Sequence, residues 1–269
     1  NLLYDQKNFD GALVEYRTAW KLDPELTGFF QRYGEIVMKK NLEEEAINVL
    51  TVAIKNNEAE PKMYITLGKL YQKKQQFAPA IAMYKKASNN DPKNMEVLTL
   101  LAECQAASND VANAVITYEQ VVLLNPQASM EYKALGELQM RKNKTEDAIK
   151  SYQKYLEKAV GDDKIAKVVG MNMYSKKQYQ EAVRYLELVK NPKLLNEEYL
   201  LALGDSYYQL QNCQKACVVF NQLRGKKTPA GTLKKILRPL AECYEKTNEP
   251  IKAAEAYEAY TALPGVIDP

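Results

Sequence analysis

The chain repeats itself every 34 residues. Alanine recurs at Ala12, Ala46, Ala80, Ala114, Ala148, Ala182 and Ala216, always 34 apart, and once more at Ala253 after a step of 37. A second series of small residues, Gly34, Gly68, Ala102, Gly136, Gly170, Gly204 and Ala241, keeps the same period and lengthens at the same place. Both series share one three-residue insertion, which falls in GKKTPAG, Gly225–Gly231. Two independent markers with one period and one insertion confine the chain to a tandem array. Each unit is a small supersecondary element that cannot bury its apolar faces alone, and neighbouring units stack into a continuous core.

The unit is legible in residues 77–92, FAPAIAMYKKASNNDP. Phe77, Ala80, Ile81, Tyr84 and Ala87 fall at steps of three and four, which places them on one face of a helix. Asn89, Asn90 and Asp91 break the pattern, and Pro92 cannot extend it. Upstream, Tyr64, Leu67, Gly68 and Tyr71 trace a second short amphipathic helix. A large residue stands four after each alanine of the first series: Tyr16, Leu50, Tyr84, Tyr118, Tyr152, Leu186, Phe220 and Tyr257. The small residues are expected where helix backbones approach closely, since a larger side chain there is overpacked by about 1–3 kcal/mol. The large ones are expected to fill the space between units, each contributing about 1.5–3 kcal/mol on burial. Stops follow at Pro24, Pro92, Pro126 and Pro192, with Pro229 and Pro264 in looser register. An all-α fold follows.

A 34-residue helix–turn–helix with Leu–Gly on its first helix, Ala–x3–Tyr/Phe on its second and a closing proline resembles the tetratricopeptide repeat. The resemblance covers nearly the whole chain. It implies a right-handed α–α superhelix, a single solenoid domain over residues 1–269. A partial repeat would occupy residues 1–26, and full repeats would start near Thr27, Pro61, Met95, Ser129, Asp163, Glu197 and Lys234. Some departures are visible. Leu42–Glu45 lacks the aromatic that Phe77 or Tyr179 supplies before the alanine. Pro239 should kink the first helix of the last unit or delay its start. The longer connection is expected to expose Lys226 and Lys227. The chain opens at Asn1 in mid-pattern and closes on TALPGVIDP without a polar capping helix. A fragment of a longer chain is therefore expected, able to self-associate through uncapped terminal repeats.

Composition excludes much chemistry. The chain of 269 residues has no histidine, which removes Ser–His and Cys–His nucleophile pairs and imidazole metal ligands. No phosphate-cradling glycine loop, HExxH or CxxC occurs. No catalytic, cofactor-binding or metal site is expected, and the reading is of a protein that is not an enzyme. Asp162–Asp163, Glu197–Glu198 and Glu43–Glu45 open helices, where carboxylates complement the helix dipole. The net charge of +3 is unlike that of a dedicated nucleic-acid binder. The four cysteines, Cys104, Cys213, Cys217 and Cys243, read as small apolar fillers. The alternative is a disulfide between Cys243 and Cys213 or Cys217. No apolar run is long enough to span a membrane.

The resemblance also places a groove along the first helix of each unit, at unit positions two, five, nine, twelve and thirteen. Position nine is acidic at Glu35, Glu103, Glu137, Asp205 and Glu242. The second unit presents Gln31, Glu35, Met38 and Lys39 there. An apolar strip of Met140, Met171, Tyr174, Leu201 and Tyr208, rimmed by Lys133, Glu137, Lys167 and Asp205, is the candidate peptide-binding groove. Met adapts to irregular surfaces and Tyr offers both an apolar body and a polar tip. A subtype of the family holds carboxylate tails of chaperones with Lys at position five and Asn at position nine. The pairs Lys133–Glu137 and Lys167–Met171 lack that Asn, which argues against such a role. The function expected is a non-catalytic protein-interaction scaffold that takes a peptide or helix in assembling a larger, bacterial complex. Its partners would be proteins or peptides, without nucleic acid. The alternatives are an RNA-binding helical-repeat module, which the position-nine carboxylates oppose by repelling phosphate, and a regulatory or targeting domain of an enzyme whose catalytic part lies outside the chain. Cytoplasm and bacterial periplasm are both open as compartments.

Overall fold

The computed structural model describes residues 2–23, 26–57, 60–159, 161–225 and 228–264. The expected stop at Pro24, the exposure of Lys226 and Lys227, and the terminal Gly265–Pro269 lie outside the described residues. Among the described residues the structure is all helical, and the chain divides into two compact units, Asn1–Lys144 and Thr145–Pro269.

In the first unit the helices are α1 (Leu2–Asp5), α2 (Phe9–Leu22), α3 (Phe30–Lys39), α4 (Glu43–Lys55), α5 (Pro61–Lys73), α6 (Phe77–Asn90), α7 (Met95–Ala107), α8 (Val111–Leu124) and α9 (Ser129–Arg141). In the second they are α10 (Thr145–Leu156), α11 (Asp163–Ser175), α12 (Tyr179–Leu186), α13 (Glu197–Gln209), α14 (Cys213–Arg224), α15 (Ala230–Lys246) and α16 (Pro250–Thr261). Within each unit consecutive helices pack against one another, the order of a helical-repeat stack. Odd-numbered helices from α3 on are first helices of their repeats, and even-numbered ones are second helices.

Three of the repeat boundaries repay comparison with the sequence. Helix α3 begins at Phe30 rather than near Thr27, because Gly28 takes a left-handed φ of 86° just before it. Helix α15 begins at Ala230, four residues before Lys234, and runs for 17 residues. The inserted residues are thus partly absorbed as an extra turn, and Pro239 stands inside the helix without delaying its start. Helix α12 is short and ends at Leu186, well before Pro192. A 3₁₀ turn over Pro192–Leu194 follows, fixed by Asp163, whose Oδ2 accepts the backbone N–H groups of Lys190 and Asn191 at 2.8 and 2.5 Å. Asp162 meanwhile caps α11 by accepting from Ile165 N–H. The pair of aspartates is accounted for by local structure.

All eight alanines of the first series are buried, each at the fourth position of a second helix. The glycines of the other series have a more specific partner than a facing backbone. A Cβ at Gly68 would lie 2.6 Å from Tyr84 Cε1, and one at Gly204 would lie 2.6 Å from Phe220 Cε1. One at Gly34 would lie 2.9 Å from Leu50 Cδ2, and one at Gly170 2.7 Å from Leu186 Cδ2. Each of these four glycines therefore receives the large residue that follows it by 16 positions on the second helix of the same repeat. The large residues fill the seam within a repeat as well as the space between repeats. Where alanine replaces glycine, at Ala102, it is buried in one cluster with Tyr118.

A third period appears in the backbone. Lys7, Asn41, Gln75, Asn109, Asn143, Lys177, Gln211 and Asn248 all have φ between 55° and 66°. They stand 34 apart, with 37 at the last step, in the turn between first and second helix. In each turn two N–H groups fold back on the ending helix. Gln75 N–H donates to Gln72 O and Gln76 N–H to Tyr71 O, both at 2.8 Å. This double back-bond satisfies the terminal carbonyls and requires a left-handed residue at its centre.

At the start of the chain the core is aromatic. Tyr16, Trp20, Phe29, Phe30 and Tyr33 contact one another with ring centroids 4.4 to 6.2 Å apart. The hydroxyl of buried Tyr33 donates to Glu45, which Arg17 also holds, its Nε donating to Oε1 at 2.7 Å. Glu43 and Glu44 pair with Lys73 and Lys74 of the next repeat. The acidic run opens α4, leaves Glu44 largely exposed and also pairs across to the next repeat. Arg17, ahead of the hydrogen bond from Tyr33, holds the Glu45 carboxyl below its ordinary range. A depressed carboxyl stabilises the fold above its unfolded pKa and ceases to do so as pH falls through its folded value. Glu45→Gln is therefore expected to cost about 1 kcal/mol at pH 7, limited by the half-exposed Arg17. It should cost less at pH 3, as read from urea midpoints at the two pH values. An equal cost at both would show that the charge plays no part.

Candidate functional site

The nine residues of the candidate groove fall on three helices. Lys133, Glu137 and Met140 share one face of α9 in the first unit. Lys167, Met171 and Tyr174 share a face of α11, and Leu201, Asp205 and Tyr208 a face of α13. The spacing of four then three produces all three faces. Helices α11 and α13 touch, so the structure brings these last six together within the second unit. All six are half-buried.

Their polar groups are largely engaged. Tyr174 OH donates to Asp205 Oδ2 at 2.9 Å, and Tyr208 OH donates to Glu242 on α15. Lys167 Nζ donates to Leu194 O at 2.8 Å and to Asn196 Oδ1 at 2.9 Å, which ties it to the connection before α13 rather than to an open rim. Burial, then the bond to Asp205, pushes the Tyr174 hydroxyl up, and the Glu242 carboxylate pushes Tyr208 up to about 12. Both tyrosines stay protonated and act as donors.

These contacts belong to a rule that recurs in the first unit. Tyr4 OH donates to Glu35, and Gln72 Nε2 donates to Glu103 Oε2 at 3.3 Å. Position twelve of one first helix thus braces the position-nine acid of the next in four places, leaving Glu137 as the position-nine acid for which no such rung is seen. The acids are local struts between repeats as well as a negative surface.

A more concave feature lies in the first unit, between α3 and α5. A cavity of about 320 Å³ opens there, lined by Gly34, Met38, Leu50, Met63 and Thr66, with Gln31, Glu35, Lys39, Glu60 and Lys62 around it. Gly34 and Leu50 belong to the packing series, so the repeat seam itself forms part of the wall. Position rules single out Met38 and Lys39 there, but nothing in the sequence ranks this repeat above the others. What opens the cavity is the shape of neighbouring side chains. Lys39 lies over the Phe9 ring, 4.3 Å from its centroid, and Glu35 is held by Tyr4, which leaves the mouth flanked by Lys62 and Glu60.

The cysteines are all buried and none is in a disulfide. Among the described residues no group of three or more His, Cys, Asp or Glu side chains could hold a metal ion, and no helix is long and apolar enough to cross a membrane.

Family models described as tetratricopeptide repeat match residues 71–135, 132–164 and 198–226. Residues 71–164 and 198–226 carry tetratricopeptide repeats. No curated protein matches it. Among solved structures, MamA AMB-1 is similar at 16% identity with a TM-score of 0.51, over 63% of this chain and 92% of that one. A tetratricopeptide-repeat protein from Parabacteroides merdae is similar at 15% identity with a TM-score of 0.48, over 87% and 92%. YrrB, a tetratricopeptide-repeat protein with an unusual peptide-binding site, is similar at 16% identity with a TM-score of 0.44, over 67% and 92%. The tetratricopeptide repeats of this chain mark it as a protein–protein interaction scaffold, a fold that is generally non-catalytic.

Proposed function

We propose that the chain holds an extended peptide or a helix of a protein partner against the exposed faces of its first helices, without catalysis, as a component of a larger assembly. The cavity between α3 and α5 carries this reading. Its size suits one apolar side chain, its two methionines can adjust to different occupants, and its mouth carries charge of both signs to orient a peptide backbone. In the second unit the α11–α13 face with Lys167, Met171, Tyr174, Leu201, Asp205 and Tyr208 is a second proposed stretch, and in the first unit Lys133, Glu137 and Met140 on α9 are offered as further peptide contacts. Braced by the Tyr174–Asp205 and Tyr208–Glu242 rungs, the α11–α13 face would meet a ligand without first being ordered, which lowers the cost of binding. Carboxylates along position nine favour a protein ligand over a nucleic-acid backbone.

A displayed random-peptide library selected on the chain tests this. Selected peptides are expected to share one large apolar residue. Their affinity should fall at least about tenfold, about 1.4 kcal/mol, in Met38→Glu or in the cavity-filling Thr66→Tyr. A parallel variant, Met171→Glu with Tyr174→Ser, reports on the second stretch. Peptides that bind every helical variant alike would remove the groove from the account.

A further inference from the structure

We propose that Cys213 and Cys243 are an oxidative modification site: a small disulfide of the glutathione class converts the pair into a cross-link between α14 and α15. The two residues come from different repeats. Cys213 is the first residue of its second helix, and Cys243 lies on the next first helix at the tenth position of its repeat, counted from Lys234. Their sulfurs are 2.7 Å apart, with the Cys243 thiol donating to Cys213 Sγ, and both are buried. The repeat supplies an internal comparison. Cys104 occupies the same position on α7 as Cys243 does on α15, and the place equivalent to Cys213 holds Phe77. Cys104 accordingly packs in an apolar cluster with Phe77 and faces no second thiol. Cysteine at both positions of one crossing occurs once in the chain.

A cavity of about 360 Å³ between α14 and α15 lies next to the pair, lined by their chain neighbours Gln214 and Tyr244 and by Cys217, Val218 and Lys252, but by neither Cys213 nor Cys243. Cys213 keeps 7% of its surface exposed. Cys213 loses its proton to water and attacks one sulfur of the small disulfide, whose S–S bond breaks and releases one thiolate. Cys243, also deprotonated, then attacks the Cys213 sulfur and expels the second thiolate. Two electrons pass from the protein pair to the small disulfide, and the two protons leave through water to the released thiolates. Burial pushes the Cys243 thiol up, which slows its attack on the Cys213 mixed disulfide.

The full chain is incubated with oxidised glutathione, quenched with acid, alkylated under denaturing conditions and weighed. Two of the four thiols are expected to be protected in a monomer that retains no glutathione. Trypsin cleaves after Lys215 and so separates Cys213 from Cys217, and the Cys213 peptide is expected joined to that of Cys243. Cys217→Ala and Cys104→Ala should leave the cross-link intact, and Cys213→Ala should abolish it, with circular dichroism confirming that each folds. Four titratable thiols after oxidation of the unaltered chain, a bridge that uses Cys217, or a bridge between two chains would each overturn the proposal.

Discussion

Replacing Gly204 with valine should lower the stability of the second unit by about 1–3 kcal/mol, and removing the ring it faces, Phe220→Ala, by about 3–5 kcal/mol. The glycine has no room for a branched side chain. A Cβ there already falls 2.6 Å from Phe220 Cε1 and 3.3 Å from Val219 Cγ1, and Phe220 is almost wholly buried. The small gain in helix propensity from glycine to valine, a few tenths of a kcal/mol, does not offset the clash. The two costs share one cause, so they cannot add. In the double variant valine occupies part of the space the ring vacates, and the loss should fall short of the sum by about 1 kcal/mol or more. Alanine at 204 should be milder than valine, as the burial of Ala102 beside Tyr118 illustrates. Urea unfolding of the four species closes the cycle. Additivity within about 0.5 kcal/mol would mean that residues 204 and 220 are not packing partners.

The same pairing shows what the sequence made legible. Gly68 and Gly204 announce a tight place by their period, and Tyr84 and Phe220 announce a large neighbour by standing four after a buried alanine. That the two markers meet each other, 16 residues apart within one repeat, is a fact of helix rotation and not of periodicity. Helix starts were readable wherever the period was regular, as at Pro61 or Met95. They shifted at Phe30 and Ala230, where Gly28 and the inserted segment decide the boundary locally.

The candidate site was less legible. Position rules place Tyr174, Asp205 and Tyr208 on exposed faces of their helices, but cannot say that Tyr174 spends its hydroxyl on Asp205 or that Tyr208 spends its own on Glu242. Lys167, by position a rim cation, instead donates to Leu194 O in the connection that follows the early end of α12. The cavity between α3 and α5 depends on the side chains of Met38, Leu50 and Met63 leaving space, and spacing carries no information about space.

The turns between first and second helices offer the opposite kind of change, a gain. Lys7→Gly, Gln75→Gly and Lys177→Gly together should stabilise the chain by about 2 kcal/mol. Each of these residues holds a left-handed backbone, with φ of 60°, 58° and 59°. For an L-residue that conformation costs about 1–2 kcal/mol through the approach of Cβ to the carbonyl. Glycine avoids the cost but loses about 0.5–1 kcal/mol more backbone entropy on folding, so the net gain per turn is a fraction of a kcal/mol to about one. Asparagine tolerates the left-handed region better than most residues, so Asn41→Gly and Asn143→Gly should gain less. Gln211→Gly should also gain less, because its side chain accepts a hydrogen bond from Lys246 that glycine forfeits. The back-bonded turns keep their geometry in every case, since both N–H donors belong to the backbone. Thermal and urea unfolding of the triple variant, with Asn143→Gly as the comparison, reads the difference. A triple variant no more stable than the parent would show that these turns relax in solution to a right-handed form and that the 34-residue backbone signature is not a property of the folded chain.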